Sequence, residues 1–422
     1  MRKLPRDEQG SELSPPRVQP DYDKRRLKSK EIALVTQVRH YELITPLFGG
    51  GVVPGEADPV TLIRGPAIRG QLRFWWRVCR GGQSNGDLWA MKAREDELWG
   101  AASTEKKPCP SQVQIRLEIT GRGQTEQPFV TRTRPSPNWR DLAYAAFPLQ
   151  DKTPPGKVVV GPQFMLTLTF PQKHQAEVEA ALWAWETFGG VGARTRRGFG
   201  ALKLVSVNGK PVTPPRTAKV ESEIRRGLRQ HVVDGEWPAG VPHLSRKPEM
   251  KVTKRQGNPD AAWKYLITRL KKFRQARHPG TLPKQPGRSK WPEPDAIRRL
   301  MGQRSTKHPN DVLNINKFPR AAFGLPVVFH FKDKDDPQDT ILQRKDYDRL
   351  ASPLILRPLA CADGAVGLAL ILEGTGLTEL PGELVLKVAE KTVTAVLDKA
   401  EAGEIEPLGG DPDVLSAFLK TL

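Results

Sequence analysis

Polar and apolar positions alternate along some stretches of the chain and recur at helical spacing along others. EIALVTQVRHYELITPLF (31–48) is rich in β-branched residues, alternates in part and breaks at Thr-Pro, which predicts a strand. GGGVVPGEADP must follow as a loop. A helix is expected from about Pro66 to Arg80, with proline near its first turn and Gly81-Gly82 beyond its end. A shorter helix over 86–99 closes at the glycine of LWG. Strands are expected over 111–120 and 164–170, a helix over 174–190 stopped by paired glycines, and a further strand over 201–207. Residues 31–210 therefore run strand, helix, strand, strand, helix, strand, the ferredoxin-like order that RNA-recognition motifs also use.

The second half has weaker patterning. Residues 211–257 mix prolines with charges and read as a linker or irregular insertion. PDAAWKYLITRLKKFRQAR (259–277) is a strongly basic helix, 279–294 a proline-rich loop, and PDAIRRLMG a short helix. AFGLPVVFHF (322–331), SPLILRPL and GAVGLALILEG read as strands, and DPDVLSAFLKTL as a closing helix. The class is α+β. The expected organisation is a basic arm (1–30), a ferredoxin-like domain (31–210), and a second α+β domain (211–422) carrying a basic insertion over about 211–320.

With 422 residues the chain can bury two or three cores. No apolar run approaches the roughly 20 residues that span a bilayer, and the first 30 residues lack the apolar region of a secretory signal. The three cysteines, Cys79, Cys109 and Cys361, have no CxxC spacing, which argues against a disulfide framework or a zinc site. A cytoplasmic protein without a membrane partner is expected.

Charge changes the picture most. Lys+Arg number 67 against 47 Asp+Glu, a net +20, spread unevenly. Residues 1–210 carry 32 basic and 21 acidic side chains, 211–320 carry 25 and 9, and 331–422 carry 10 and 17. Such asymmetry points to a polyanionic partner, nucleic acid above all.

RGPAIRGQLRFWWR (64–77) shows where that partner could sit. On a helix, Arg69, Arg73, Arg77 and Arg80 fall within an arc of about 80°, while Ile68, Leu72, Trp75 and Cys79 gather on another side. Asp and Glu are absent between 59 and 86, so no nearby carboxylate in the sequence neutralises the row, and guanidinium forks fit phosphate oxygens. An interfacial membrane helix would offer a more continuous apolar face. FGGVGARTRRGFGAL (188–202) is the second candidate. Gly190, Gly192, Gly198 and Gly200 allow close approach of a ligand to the main chain, and Arg194, Arg196 and Arg197 lie between them. A helix precedes and a strand follows, the reverse of a dinucleotide fingerprint. RGFGALKL has one aromatic where the RNP1 strand has two, which disfavours base stacking on the sheet.

Together these stretches resemble a known family. A G-x-G-x5-G-x-G loop before the last strand of a ferredoxin-like domain is similar to the signature of the RAMP superfamily of CRISPR systems. ITPLFGGG with IRGPAIRGQLRFWWR, then FPRAAFGLPVVFHF (318–331) and RLASPLILRPL (349–359), resemble, in order, segments of the subunit-one family of type III-B (Cmr) effectors. The resemblance implies two fused ferredoxin-like (RRM-like, RAMP) domains with loop and helical insertions. It implies a non-catalytic subunit of a ribonucleoprotein whose partners are CRISPR RNA, target RNA and other RAMP subunits, placed at the guide's 3′ portion and the matching 5′ part of the target. Arg64, Arg69 and Arg73 in the first motif, Arg194, Arg196 and Arg197 in the loop, and Arg320 and Arg349 later match its motifs. Arg77 and, in the basic helix, Lys271, Lys272 and Arg274 complete the expected RNA-binding set.

Catalytic residues are not evident. The seven histidines show no paired spacing, no carboxylate cluster suggests a two-metal nuclease, and no cofactor or metal is expected. Asp58 in PGEADP reads as a turn residue before Pro59. It is also the acidic candidate for the alternative, a metal-independent endoribonuclease, since related backbone subunits cleave with a loop aspartate. A general basic RNA-binding protein would share the charge without the ordered motifs.

Overall fold

The computed structural model describes residues 33–51, 56–102, 109–150, 155–280, 286–347, 349–376, 383–387 and 389–422. The expected basic arm lies outside them.

The first half follows the expected order. Its elements are β1 (Leu34–Leu43), α1 (Gly65–Arg80), α2 (Leu88–Trp99), β2 (Gln114–Gly121), β3 (Gln163–Pro171), α3 (Gln175–Phe188) and β4 (Leu202–Val207). The sheet runs β2-β3-β1-β4, extended by Lys210–Pro211, with every pairing antiparallel. This is the ferredoxin-like arrangement, with the first and third strands of the motif at its centre. Alternation in β3 sends Phe164, Leu166, Leu168 and Phe170 inward, where α1 and α3 cover them with Trp75, Leu72, Leu182 and Trp185. The opposite face carries Thr36, His40, Arg116, Glu118, Thr167 and Thr169, and no Phe, Tyr or Trp among its described residues. Base stacking on this face, disfavoured from the sequence, has no phenyl, phenol or indole ring to use among the described residues.

The expectation for 211–257 is corrected. This stretch folds into α4 (Val220–His231) and β5 (Met250–Val252). Val220, Ile224 and Leu228 recur at helical spacing and join the first core. Next come α5 (Pro259–Arg274) and α6 (Glu293–Met301), then β6 (Val327–Phe329), β7 (Thr340–Arg344), β8 (Leu354–Cys361), β9 (Gly364–Ile371), β10 (Leu384–Leu386), β11 (Lys391–Val393) and α7 (Val414–Lys420). The proline-rich loop is partly a ribbon of Arg277–Pro279 with Pro286–Ser289. The strand expected over 322–331 shortens to β6.

β5, β9 and β8 pair in that order, all antiparallel, and with α5 repeat the first three strands and first helix of the ferredoxin-like unit. No fourth strand joins them among the described residues. Instead β6, β7, β10 and β11 form a separate sheet over its own core of Phe318, Leu325, Leu342 and Leu386. The β8–β9 sheet is buried on both faces: Ile355, Leu368 and Leu370 meet the first domain, and Leu354, Leu356 and Ala369 meet α5 and α7. That double burial explains the near-continuous apolar runs LILRPL and GLALIL.

Candidate nucleic-acid interface

α1 starts after Arg64, with Pro66 in its first turn and no side-chain cap. It buries Ile68, Leu72, Trp75 and Cys79 as expected, and Trp76 as well, whose Nε1 donates to Glu177 Oε2 at 2.7 Å. The guanidinium row is not free, which corrects the sequence expectation. Arg73 Nε and Arg77 Nη1 each lie 2.6 Å from Glu95 Oε1, and Arg80 pairs with Glu177 of α3. Arg73 also donates to the Gly100 carbonyl at 3.0 Å, and Arg69 to that of Trp99 at 3.3 Å. The neutralising carboxylates come from α2 and α3, beyond the window in which the sequence shows none.

Arg64 stands apart from this network. Its Nε is buried without a hydrogen-bond partner. The side chain lines a cavity of about 250 Å³ at the head of α1, together with Gln71, Ile68, Gly50 and Gly192. The first turn of α1 holds no acidic residue, so the helix dipole adds positive potential at this mouth.

The glycine-rich loop (189–200) is the junction between the two halves rather than an open tip. Gly198, at φ 84°, sits under Trp263 of α5, where a Cβ would lie 2.6 Å from the indole Cδ1. Trp263 Nε1 donates to the Arg197 carbonyl at 2.7 Å, and Thr45 Oγ1 donates to the Gly198 carbonyl at 2.7 Å. Gly190 packs against the carbonyls of Gly200 and Phe199, and Gly200 against the backbone of Val191. Of the expected glycines, Gly192 lines the cavity beside Arg64.

The loop arginines divide by partner. Arg197 reaches the carbonyls of Leu354 and Phe323 at 3.1 and 3.3 Å, and burial pulls its guanidinium down to about 9, still charged at neutral pH. Arg196 donates to the Ser352 carbonyl and lies over the Phe74 ring. Arg194 occupies a left-handed conformation at φ 58°, lies 4.9 Å from the centroid of Phe147, and has a buried Nε without a partner. Burial, with neighbouring Arg274 adding to it, pulls Arg194 down to about 10.

α5 buries Trp263, Leu266, Leu270 and Phe273 and leaves Lys271 and Lys272 exposed in its last turn. Arg274 turns back to the junction, donating to Tyr144 Oη at 2.8 Å. Arg320 is engaged by buried Glu293, 3.1 Å away, and donates to the Arg274 carbonyl. Arg349 is exposed. The structure thus gathers Arg194, Arg196, Arg197 and Arg274 at one junction, and among the described residues no carboxylate forms an ion pair with any of them. Arg69, Arg73 and Arg77 are engaged instead by α2 and Gly100, and Arg320 is neutralised.

Sequence reasoning missed Arg357, Tyr144 and Phe147. A lone arginine inside the apolar run LILRPL was the available signal for the first; fully buried, Arg357 donates to the carbonyls of Trp185, Gly189 and Leu202.

Asp58 Oδ1 accepts from the amides of Val60 and Thr61 at 2.8 and 2.7 Å, the turn geometry expected of it. Those bonds hold its carboxyl below the usual range. His308, Asp333 and Asp336 bring ligand-type atoms within 4.8 Å of one another. Asp336 is already engaged by Arg298 and Asp333 by Lys307, so fixed cations occupy the carboxylates a metal would need.

Residues 40–203 match the family model of the RAMP superfamily. The match spans the first domain with its glycine-rich loop, the part of the chain whose motifs resemble that superfamily. It is 28% identical over 185 residues to CRISPR system Cmr subunit Cmr1-2 of Pyrococcus furiosus, covering 39% of this chain and 91% of that protein. It is 22% identical over 148 residues to Cmr1-1 of the same organism, covering 34% of this chain and 40% of that one. The crystal structure of Cmr1 from P. furiosus, in its apo form, aligns over 88% of this chain and 96% of that one at 17% identity, with a TM-score of 0.49. No helix among the described residues is long and apolar enough to cross a membrane.

Proposed function

We propose that the chain is a non-catalytic, RNA-binding subunit of a type III-B CRISPR effector ribonucleoprotein, acting in the cytoplasm beside other RAMP subunits. It holds the guide's 3′ portion, the paired target RNA, or both. The observation that carries this reading is the group of arginines at the domain junction that no carboxylate among the described residues neutralises, beside a domain that matches the RAMP model. Phosphate is the natural counterion for such a group. The match of residues 40–203 to the superfamily's model and the similarity to Cmr subunits support the assignment to this complex.

Cleavage without a metal needs a base near a 2′-hydroxyl. Asp58, the acidic candidate, spends its carboxylate on two backbone amides and is a weaker base for it. This favours binding over cutting. The test is co-expression with a CRISPR array and its neighbouring subunits, followed by sequencing of the RNA that co-purifies with this chain. Recovery of array-derived RNA together with other subunits is expected. Recovery of unrelated cellular RNA without subunits would favour a general RNA-binding protein, and RNA cutting lost in Asp58→Ala would establish the nuclease.

A further inference from the structure

Residues 137–149 fold as three short helical turns, Pro137–Trp139, Ala143–Ala146 and Phe147–Leu149, laid across the domain junction. They bury Trp139, Leu142, Ala145, Ala146 and Leu149 in the second core. That leaves Tyr144 partly exposed and Phe147 47% exposed, beside the junction arginines. An exposed phenylalanine needs no special cause by itself. Its neighbours make this one informative.

Arg194 lies over the Phe147 ring, and Arg274 lies 6.0 Å from the Tyr144 centroid while donating to its hydroxyl. Both arginines have a buried Nε with no hydrogen-bond partner, and each leaves N–H donors uncommitted. The two sit close enough for Arg274 to disfavour the charge on Arg194 and on Arg197. Among the described residues no acidic group offsets them. Like charges gathered at a partly buried place are unfavourable until an anion joins them. Guanidinium forks match phosphate oxygens in geometry, and a half-exposed ring beside them matches the face of a base.

We propose that Phe147, Tyr144, Arg194 and Arg274 form a seat for one nucleotide of single-stranded RNA. The two guanidiniums take a backbone phosphate, and the Phe147 ring carries the base of that nucleotide. Stacking of this kind is indifferent to base identity, which suits a subunit that must accept any guide or target sequence. It also supplies a phenyl ring, which the described open face of the first sheet lacks. The inference rests on the RNA-binding reading above and adds the place and the unit that is bound.

The experiment measures binding of the full-length chain to a fluorescent single-stranded RNA and to the same RNA with bases removed. Phe147→Ala should weaken binding of intact RNA by about tenfold, Phe147→Trp should restore it, and neither should change binding of the abasic strand. Arg194→Lys keeps the charge and loses the fork, so it should weaken both strands alike. Thermal unfolding of each variant confirms the fold, since Phe147 is half exposed. Phe147→Ala binding intact RNA as tightly as the unaltered chain, or losing equally on both strands, would overturn the seat and leave the RNA-binding reading standing. Failure of the unaltered chain to bind RNA would sink both. Displacement of the RNA by micromolar mononucleotide would assign the site to a free nucleotide and refute the RNA assignment.

Discussion

Arg357 of β8 crosses the domain junction and donates to the Leu202 carbonyl of β4 at 2.7 Å, tying the second sheet to the last strand of the first. The same guanidinium reaches the carbonyls of Trp185 and Gly189 at the end of α3. Burial pulls its guanidinium down to about 9, and it has no carboxylate partner among the described residues. Backbone carbonyls, with the Glu186 carboxylate nearby, stabilise the charge. Arg357→Ala should therefore take a donor from three carbonyls, of which Trp185 keeps the Gly189 amide, and leave a cavity between the halves. We expect a loss of about 3 kcal/mol or more, read by chemical denaturation. Arg357→Lys should recover part of it, because an ammonium cannot span the same acceptors. A variant with an unchanged midpoint would show that the junction holds without this residue.

The arginines of α1 should behave as structural residues. Glu95 is buried with its side chain 3% exposed, and Arg73 and Arg77 are its partners. Replacing both arginines by alanine strands a carboxylate in the core, at a cost of about 3–5 kcal/mol. Adding Glu95→Gln to that variant should restore much of the stability. RNA affinity of the folded protein should stay the same throughout, whereas Arg64→Ala should weaken it. A loss of affinity in the triple variant at unchanged stability would return the row to the RNA interface.

Acid should loosen the region around α6 first. Hydrogen bonds from Arg298 hold the Asp336 carboxyl below its usual range, with burial opposing them. The folded state therefore binds fewer protons than the unfolded chain. The pair's contribution is present above the unfolded carboxylate value of about 4 and is lost as pH falls through the lower folded one. Stability measured against pH should drop in that window, and Asp336→Asn should flatten the drop while lowering stability at neutral pH. An Asp336→Asn profile parallel to the unaltered chain would exclude the pair as the cause.

What the sequence made legible follows from how local each determinant is. β1, α1, β3 and α3 were readable because alternation, helical periodicity and glycine stops lie within each segment. α4 was missed because prolines and charges around it hid Val220, Ile224 and Leu228, whose apolar stripe is short. β7, β10 and β11 were missed because three to five residues give too little alternation to register. The site was harder. Which arginines of α1 are neutralised depends on Glu95 and Glu177, which reach α1 only through the packing of α2 and α3. The glycine-rich loop was recognisable as a place of close backbone approach, but the body approaching Gly198 is Trp263, 65 residues further along in the other domain. Spacing shows that something comes close and does not show what.

Gly198 provides the sharpest test of that distinction. Its φ of 84° disfavours any side chain, and a Cβ there would press into the Trp263 ring. Displacing Trp263 would break its hydrogen bond to the Arg197 carbonyl and disturb the Thr45 bond to the Gly198 carbonyl. Gly198→Val should accordingly destabilise the chain by several kcal/mol, with backbone strain alone contributing about 1–3 kcal/mol. Gly198→Ala should do so by less, since it adds the Cβ clash without the branched methyls. Loss of RNA binding in these variants should follow unfolding and be recovered at lower temperature. If instead Gly198→Val were as stable as the unaltered chain and bound RNA poorly at every salt concentration, the loop backbone would lie against nucleic acid. In that case Trp263 would have to move aside when RNA binds.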